Sequence, residues 1–176
     1  MLELLRKRRS VRRFLDRPIE AEKVDELIEA LLRSPSSKGR NPWEFILVTD
    51  PEQRARLAAA KPKGGTFVTE APLAIVVCAD PDKCDVWVED CSIAAIVLQL
   101  AALDLGLGSC WSQIRKRSHV DGDPATDYLS TVLNLPDRYE VEAIIGIGYP
   151  VAEKAGHSKE TLPYDRIHLE HFCRTE

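Results

Sequence analysis

The sequence has no excess of basic residues, no apolar run that could cross a bilayer and no closely paired cysteines. Its 24 Lys and Arg stand against 28 Asp and Glu, a net charge of −4, so no nucleic-acid partner is expected. The longest apolar stretch runs from Ile93 to Leu103 with Gln99 inside it, too short for the hydrocarbon core of a membrane. The opening MLELLRKRRS has its charges after a very short apolar piece and matches neither a signal nor a transit peptide. A cytoplasmic protein is the expectation. The cysteines, Cys78, Cys84, Cys91, Cys110 and Cys173, are odd in number and form no C-x-x-C. Reduced thiols are therefore expected, rather than a disulfide framework or a zinc site. His119, His157, His168 and His171 show no metal-binding spacing, and no metal ligand is named. A G-x-S-x-G elbow, a G-x-G-x-x-G fingerprint and a calcium loop are all missing.

What remains is an ordinary globular composition, 44% hydrophobic and 30% charged over 176 residues, which implies one domain able to fold without cross-links. Val24, Leu27, Ile28, Leu31 and Leu32 recur at helical spacing and predict an amphipathic helix over 21–33. SPSSKGRNP at 34–42 stops it. EFILVT at 44–49 reads as a strand closed by Asp50-Pro51, after which a short helix ends near Ala60. LAIVVCA at 73–79 is apolar throughout, as in a strand covered on both faces. The pattern over 86–105 is helical and apolar around most of its circumference, which places that helix centrally. A loop and short strand over 107–114, a helix over 124–133 and a strand over 141–149 follow. After Pro150 the chain is polar and loses its periodicity. This order predicts an α/β sandwich, and pattern alone leaves open a parallel doubly wound sheet or an α+β sheet.

Three segments could carry chemistry. Arg8-Arg9-Ser10-Val11-Arg12-Arg13 offers four guanidinium forks and a hydroxyl within six residues, donors that suit a phosphate; the alternative is a solvated basic face. Leu4, Leu5, Val11 and Phe14 are expected to pin this segment to the core. Ser34-Pro35-Ser36-Ser37 leading to Asn41-Pro42-Trp43 is either a helix stop or a stiffened loop beside a flat ligand. Gly106-Leu107-Gly108-Ser109-Cys110-Trp111-Ser112-Gln113 is either a tight connection or a place where backbone approaches a ligand. Cys110 reads as a packed thiol rather than a nucleophile.

In this order and spacing, and with Ile-Gly-Ile-Gly-Tyr-Pro after them, these motifs resemble the FMN-dependent nitroreductase family over about residues 3–150. The resemblance implies an α+β, three-layer sandwich with a central, mainly antiparallel sheet flanked by helices. It also implies one domain over 1–176, with 151–176 a polar tail packing on the partner of a homodimer that holds FMN at its interface. Arg8, Arg9, Ser10 and Arg12 then match the segment that holds the flavin's phosphate and ribityl chain. Pro35, Ser36, Ser37 and Asn41 match the loop that reaches the flavin from the second subunit. Cys110, Trp111, Ser112 and Gln113 match the ring-edge segment, with a backbone N–H facing flavin N5 near Gln113. Lys159, with Arg166 behind it, is the expected basic residue from the tail, and Lys61 or Lys63 is a weaker candidate at the ring edge. The implied activity is an oxidoreductase in which NADH or NADPH reduces the flavin. A small-molecule acceptor such as a nitroaromatic or quinone then takes the electrons, by a ping-pong mechanism. No catalytic side chain is required. The alternative is a flavin-binding sensor or storage module without robust turnover. Arg115 and Arg117 in WSQIRKR are expected to narrow the pocket or to select an anionic substrate.

Overall fold

The computed structural model describes residues 1–172; Cys173 lies outside them. Six helices and four strands follow in the order α1 (Leu2–Lys7), α2 (Ala21–Leu32), β1 (Trp43–Val48), α3 (Pro51–Ala59), α4 (Phe67–Glu70), β2 (Leu73–Ala79), α5 (Trp87–Asp104), β3 (Gly108–Gln113), α6 (Ala125–Leu133) and β4 (Glu140–Gly148). The strands form one sheet in the order β1-β2-β4-β3, and every neighbouring pair is antiparallel. This settles the open sheet question in favour of α+β.

Strand β2 shows why its sequence is apolar throughout. Successive side chains in a strand point to opposite faces. Ala74, Val76 and Cys78 enter one core, shared with α3, α4, α6 and Phe14. Leu73, Ile75, Val77 and Ala79 enter the other, beneath α2 and α5. The sheet is therefore the middle layer of three, and β2 and β4 have no solvent face.

The helices start and stop where side-chain chemistry dictates. Asp50 caps α3 by accepting from the Gln53 N–H at 2.7 Å, with Pro51 in the first turn, where its missing N–H costs nothing. Helix α2 buries Leu27 and Leu31. Helix α5 buries Cys91, Ala94, Ala95, Leu98 and Ala102 against the sheet. Its other side leaves Ile93 and Ile96 exposed, so it is central in sequence but not fully covered by its own chain. The short α4 was not expected from the sequence. Leu5 is exposed and Leu4 half-buried, so Phe14 and, less fully, Val11 anchor the N-terminal segment.

Beyond β4 the chain turns back along the N-terminal segment, with Phe14 bridged to Pro150 and the Val151 N–H donating to the Arg13 carbonyl at 3.2 Å. It then crosses the end of α1 at Gly156, where a Cβ would stand 1.7 Å from the Arg6 carbonyl oxygen. Only glycine permits that crossing. The remaining tail exposes Leu162, Ile167, Leu169 and Phe172.

Candidate functional site

The arginine-rich opening is not a mobile basic face. After α1 the chain extends, and residue 10 pairs in parallel with Ser109 at the start of β3. The Val11 N–H donates to the Ser109 carbonyl at 2.9 Å, and the Leu15 N–H donates to the Tyr149 carbonyl at 2.8 Å. Gly108 makes this pairing possible: a Cβ there would lie 2.7 Å from Val11 Cγ2. In an extended segment alternate side chains share a face. Arg8, Ser10 and Arg12 thus point one way, with Arg9, Val11 and Arg13 opposite.

The first of these faces looks onto Cys110, which is buried. Burial pushes the Cys110 thiol up; Arg12, a hydrogen bond with Ser10, Lys154 and Arg8 oppose that rise. Lys61 belongs to the same group. Its ammonium is pushed down by partial burial and then by the Arg117 guanidinium, while Cys110 acts in the opposite sense. Among the described residues, no carboxylate forms an ion pair with Arg8, Arg12, Lys61, Arg117 or Lys154. Cations outnumber the carboxylate near them, Glu153, and none of the five is held in an ion pair, so they repel one another and an anion would relieve them.

Arg8 and Lys154 also line a cavity of 720 Å³ with Arg9, Val11, Glu153 and residues 106–109; Ser10, Arg12 and Cys110 adjoin it without lining it. Its volume is within the size range of small-molecule sites. Lys154 Nζ donates to the Ser10 carbonyl at 3.3 Å, and the Arg9 guanidinium donates to the Ala155 carbonyl. The tail is thereby tied across the opening. Lys159 and Arg166 lie in exposed turns of the tail and line neither this cavity nor the surroundings of Cys110. Of the tail's basic residues among those described, Lys154 is the one that lines this cavity. Lys63 is exposed, and Lys61 is the lysine of that loop near Cys110.

Strand β3 is an edge of the sheet. In a strand, the N–H and C=O of one residue point to the same side, and the side alternates. The Ser109 carbonyl faces outward to Val11, and the Ile114 N–H faces inward to the Glu142 carbonyl at 3.0 Å. Trp111 and Gln113 therefore turn their N–H groups outward from the sheet, while Cys110 and Ser112 turn theirs towards β4. The Gln113 side chain is held as well. It accepts from the Trp111 indole N–H at 2.9 Å and donates to the Glu142 carboxyl at 3.2 Å.

Past β3, Arg115, Lys116 and Arg117 line a second cavity of 750 Å³ with Trp87, Pro81 and Pro124. The Arg115 guanidinium stands 5.7 Å from the centre of the Trp87 ring. Neither Arg115 nor Arg117 lines the first cavity.

The 34–42 loop is rigid but remote. The Asn41 N–H donates to Ser36 Oγ at 2.9 Å, and Ser36 Oγ donates to Asn41 Oδ1 at 2.6 Å. The Ser37 N–H donates at 2.8 Å to Asp90, in the first turn of α5. Pro35 is exposed, and Asn41 has a φ of 47°. The first cavity touches α5 at Leu103, near its other end. At a rise of 1.5 Å per residue the two points are about 20 Å apart. Within one chain, the structure does not bring Pro35, Ser36, Ser37 and Asn41 together with Arg8, Ser10 and Arg12.

Among the described residues no group of three His, Cys, Asp or Glu side chains is placed to hold a metal, and no helix is long and apolar enough to cross a membrane. The model of the nitroreductase family matches residues 5–63 and 59–149. This chain belongs to the nitroreductase family. A solved structure described as an FMN-dependent nitroreductase from Clostridium difficile R20291 is 47% identical and superposes with a TM-score of 0.95, covering 98% of this chain and all of that one. A protein of Methanothermobacter thermautotrophicus carries the provisional name NADH dehydrogenase/NAD(P)H nitroreductase. It is 34% identical over 174 residues, 97% of this chain and 86% of its own. A Thermus thermophilus NADH dehydrogenase is 25% identical over 191 residues, covering 93% of this chain and 92% of its own. Membership of the nitroreductase family gives the unpaired cations and the outward β3 edge a common context.

Proposed function

We propose that this chain is an FMN-dependent NAD(P)H oxidoreductase that works as a homodimer in the cytoplasm. The observation that carries the reading is the set of cations without ion-pair partners around Ser10 and Cys110, beside an edge strand with outward donors. Those residues fit a phosphorylated, planar cofactor. Arg8, Ser10, Arg12 and Lys154 would hold its phosphate through charge-assisted bonds, which offset the dianion's desolvation. Arg9 braces the tail that carries Lys154. Trp111 and Gln113 offer main-chain N–H groups to the ring edge, flanking Cys110 and Ser112. Lys61, Arg12 and Arg117 supply fixed positive charge where negative charge would gather on reduction. When bound, the flavin supplies the redox chemistry, taking a hydride from NADH or NADPH and passing electrons to a small acceptor such as a nitroaromatic or quinone. The protein binds, orients and sets the field, and no side chain acts as acid or base.

Two copies are needed in this reading. Pro35, Ser36, Ser37 and Asn41 lie about 20 Å from the cavity along α5, so only the same loop of a second copy can complete the site. Ile93 and Ile96 on α5, Leu2 and Leu5 on α1, and Leu162, Ile167, Leu169 and Phe172 in the tail are the apolar surface such a copy would cover. An obligate dimer of this kind buries above about 2,000 Å². The cytoplasmic placement is supported by Cys78, Cys84, Cys91 and Cys110, all buried and unbridged. The tail is part of the single domain rather than a separate unit. Cosubstrate and acceptor use one opening in turn, which is ping-pong exchange.

The test is a visible spectrum of the purified protein, followed by anaerobic NADH and NADPH and then acceptor. Yellow protein whose released cofactor is FMN, bleached by either cosubstrate and recoloured by acceptor, is the expected result. Colourless protein that FMN cannot reconstitute overturns the reading. A flavin that stays oxidised with both cosubstrates would instead make this a binding module.

A further inference from the structure

Strand β4 contains an irregularity that the flavin reading leaves unused. Val77 of β2 pairs with Ala143, but the next residue, Cys78, pairs with Val141. Glu142 is the additional residue of a bulge, a device that re-aims a side chain and often lies beside a functional site. It is only 4% exposed. Its Oε1 accepts from Gln113 Nε2 at 3.2 Å, and its Oε2 has no partner. Its carbonyl accepts from the Ile114 N–H at 3.0 Å, the Arg115 N–H at 3.1 Å and Gln113 Nε2 at 3.3 Å. One residue thus grips the end of β3 through both its main chain and its side chain.

We propose that Glu142 is a positioning residue of the flavin site: through Gln113 it fixes the outward N–H groups at the end of β3 that the ring edge would meet. This rests on the flavin reading above. The groups that face the carboxyl are Gln113 on β3, Arg115 on the following turn, and Glu89 and Cys91 on α5; the Cys78 thiol on β2 points into the opposite core and donates to the Glu44 carbonyl. Burial pushes the Glu142 carboxyl up; the Gln113 hydrogen bond and Arg115 oppose this, and Glu89 adds to it. A buried carboxylate oxygen without a donor is costly when ionised and far less so when protonated. Oε1 accepts from Gln113 in either form, and Gln113 in turn holds the Trp111 indole. Ionisation puts a negative charge beside the ring-edge donors and disfavours an electron-rich ligand there.

The folded carboxyl binds its proton more tightly than the unfolded one. Its contribution is full below the ordinary carboxylate value of 4.5 and is lost as pH rises through the raised folded value. The experiment uses Glu142→Gln and Glu142→Leu and reads two quantities. The first is the FMN dissociation constant by fluorescence quenching across pH, taken as the ratio of wild type to Glu142→Gln, which cancels the phosphate's own titration. The second is the NMR position of the Trp111 indole N–H in flavin-free protein. Wild type should match Glu142→Gln at low pH and bind FMN about two- to tenfold more weakly above the carboxyl's raised value, the size of a charge felt through a partly screened medium. Glu142→Leu should bind weakly at every pH and displace the Trp111 signal. A pH-independent ratio, with wild-type FMN affinity and an unmoved Trp111 signal in Glu142→Leu, overturns the proposal. If Glu142→Leu does not fold, the ratio decides alone. Wild-type protein that takes up no FMN overturns the flavin reading, and this inference with it. Bound FMN with unchanged variants overturns this inference alone.

Discussion

Gly108→Ala is the sharpest test of how the arginine segment is seated. The added methyl would lie 2.7, 2.9 and 2.8 Å from Val11 Cγ2, Cγ1 and Cβ, whereas carbon atoms pack best at about 3.5–4.0 Å. Roughly 1 Å of separation must be found. Strand β3 cannot supply it, because β4 holds its inner side over the whole length from Gly108 to Gln113. The N-terminal segment must move instead, stretching the Val11–Ser109 hydrogen bond of 2.9 Å. Overpacking of this kind costs about 1–3 kcal/mol. For a chain of this length that corresponds to a Tm about 2–12 °C lower, read by calorimetry on flavin-free protein. Arg8, Ser10 and Arg12 move with Val11, so FMN affinity should fall as well. Val11→Gly in the same chain removes all three contacts and should restore part of both losses, a coupling that independent sites would not show. Val11→Ala removes two of the three contacts and should restore less. Gly108→Ala protein with wild-type Tm and wild-type FMN affinity would refute the seating described here.

Arg8→Ala should leave the flavin-free protein folded, because Arg8 belongs to no buried cluster. It should weaken FMN binding about ten- to hundredfold, the worth of one charge-assisted contact; full affinity in both Arg8→Ala and Arg9→Ala would reduce the cluster to a solvated face. If the charged end of NADPH or of an acidic acceptor seats in the second cavity, Arg115→Ala, which empties one wall of it, should raise KM more than it lowers kcat. An effect confined to kcat would contradict that role. Ile96→Glu, on the uncovered side of α5, should give a folded monomer in sedimentation and an FMN affinity lowered with it, and a monomer that keeps full affinity would show that one chain holds the whole site.

Periodicity located the long elements because each buries one repeating face. The helix expected over 21–33 is Ala21–Leu32, and the strand expected over 73–79 is Leu73–Ala79. Strand direction was not legible in the same way. Leu73–Ala79 is apolar because two helical layers cover it, and a parallel or an antiparallel partner would leave the same sequence. Helix α4, at four residues, is barely longer than one helical period and leaves no repeat to detect. The place of Lys154 beside Arg8 is not legible in the sequence, because it depends on the pairing of Val151 with Arg13, a contact between opposite ends of the chain. Glu142 did leave a signal: a single carboxylate inside VEAIIG, in a strand with both faces covered. Alternation would have placed it against a core, and the bulge that turns it towards Gln113 has no sequence signature.

The two halves of the candidate site illustrate a deeper limit. Sequence order sets the Ser36–Asn41 loop and the Arg8–Arg12 segment on either side of α2, as if one helix hairpin could bring them together. The structure sends them to opposite ends of α5 instead. Asp90 holds the loop at one end, and Leu103 meets the cavity at the other. A helix is stiff, and no rearrangement short of unfolding α5 closes about 20 Å. The uncovered side of the same helix carries Ile93 and Ile96. If two copies pack there in antiparallel fashion, each loop arrives at the other copy's arginine segment. The feature that keeps the halves apart in one chain would then be the feature that joins them in two.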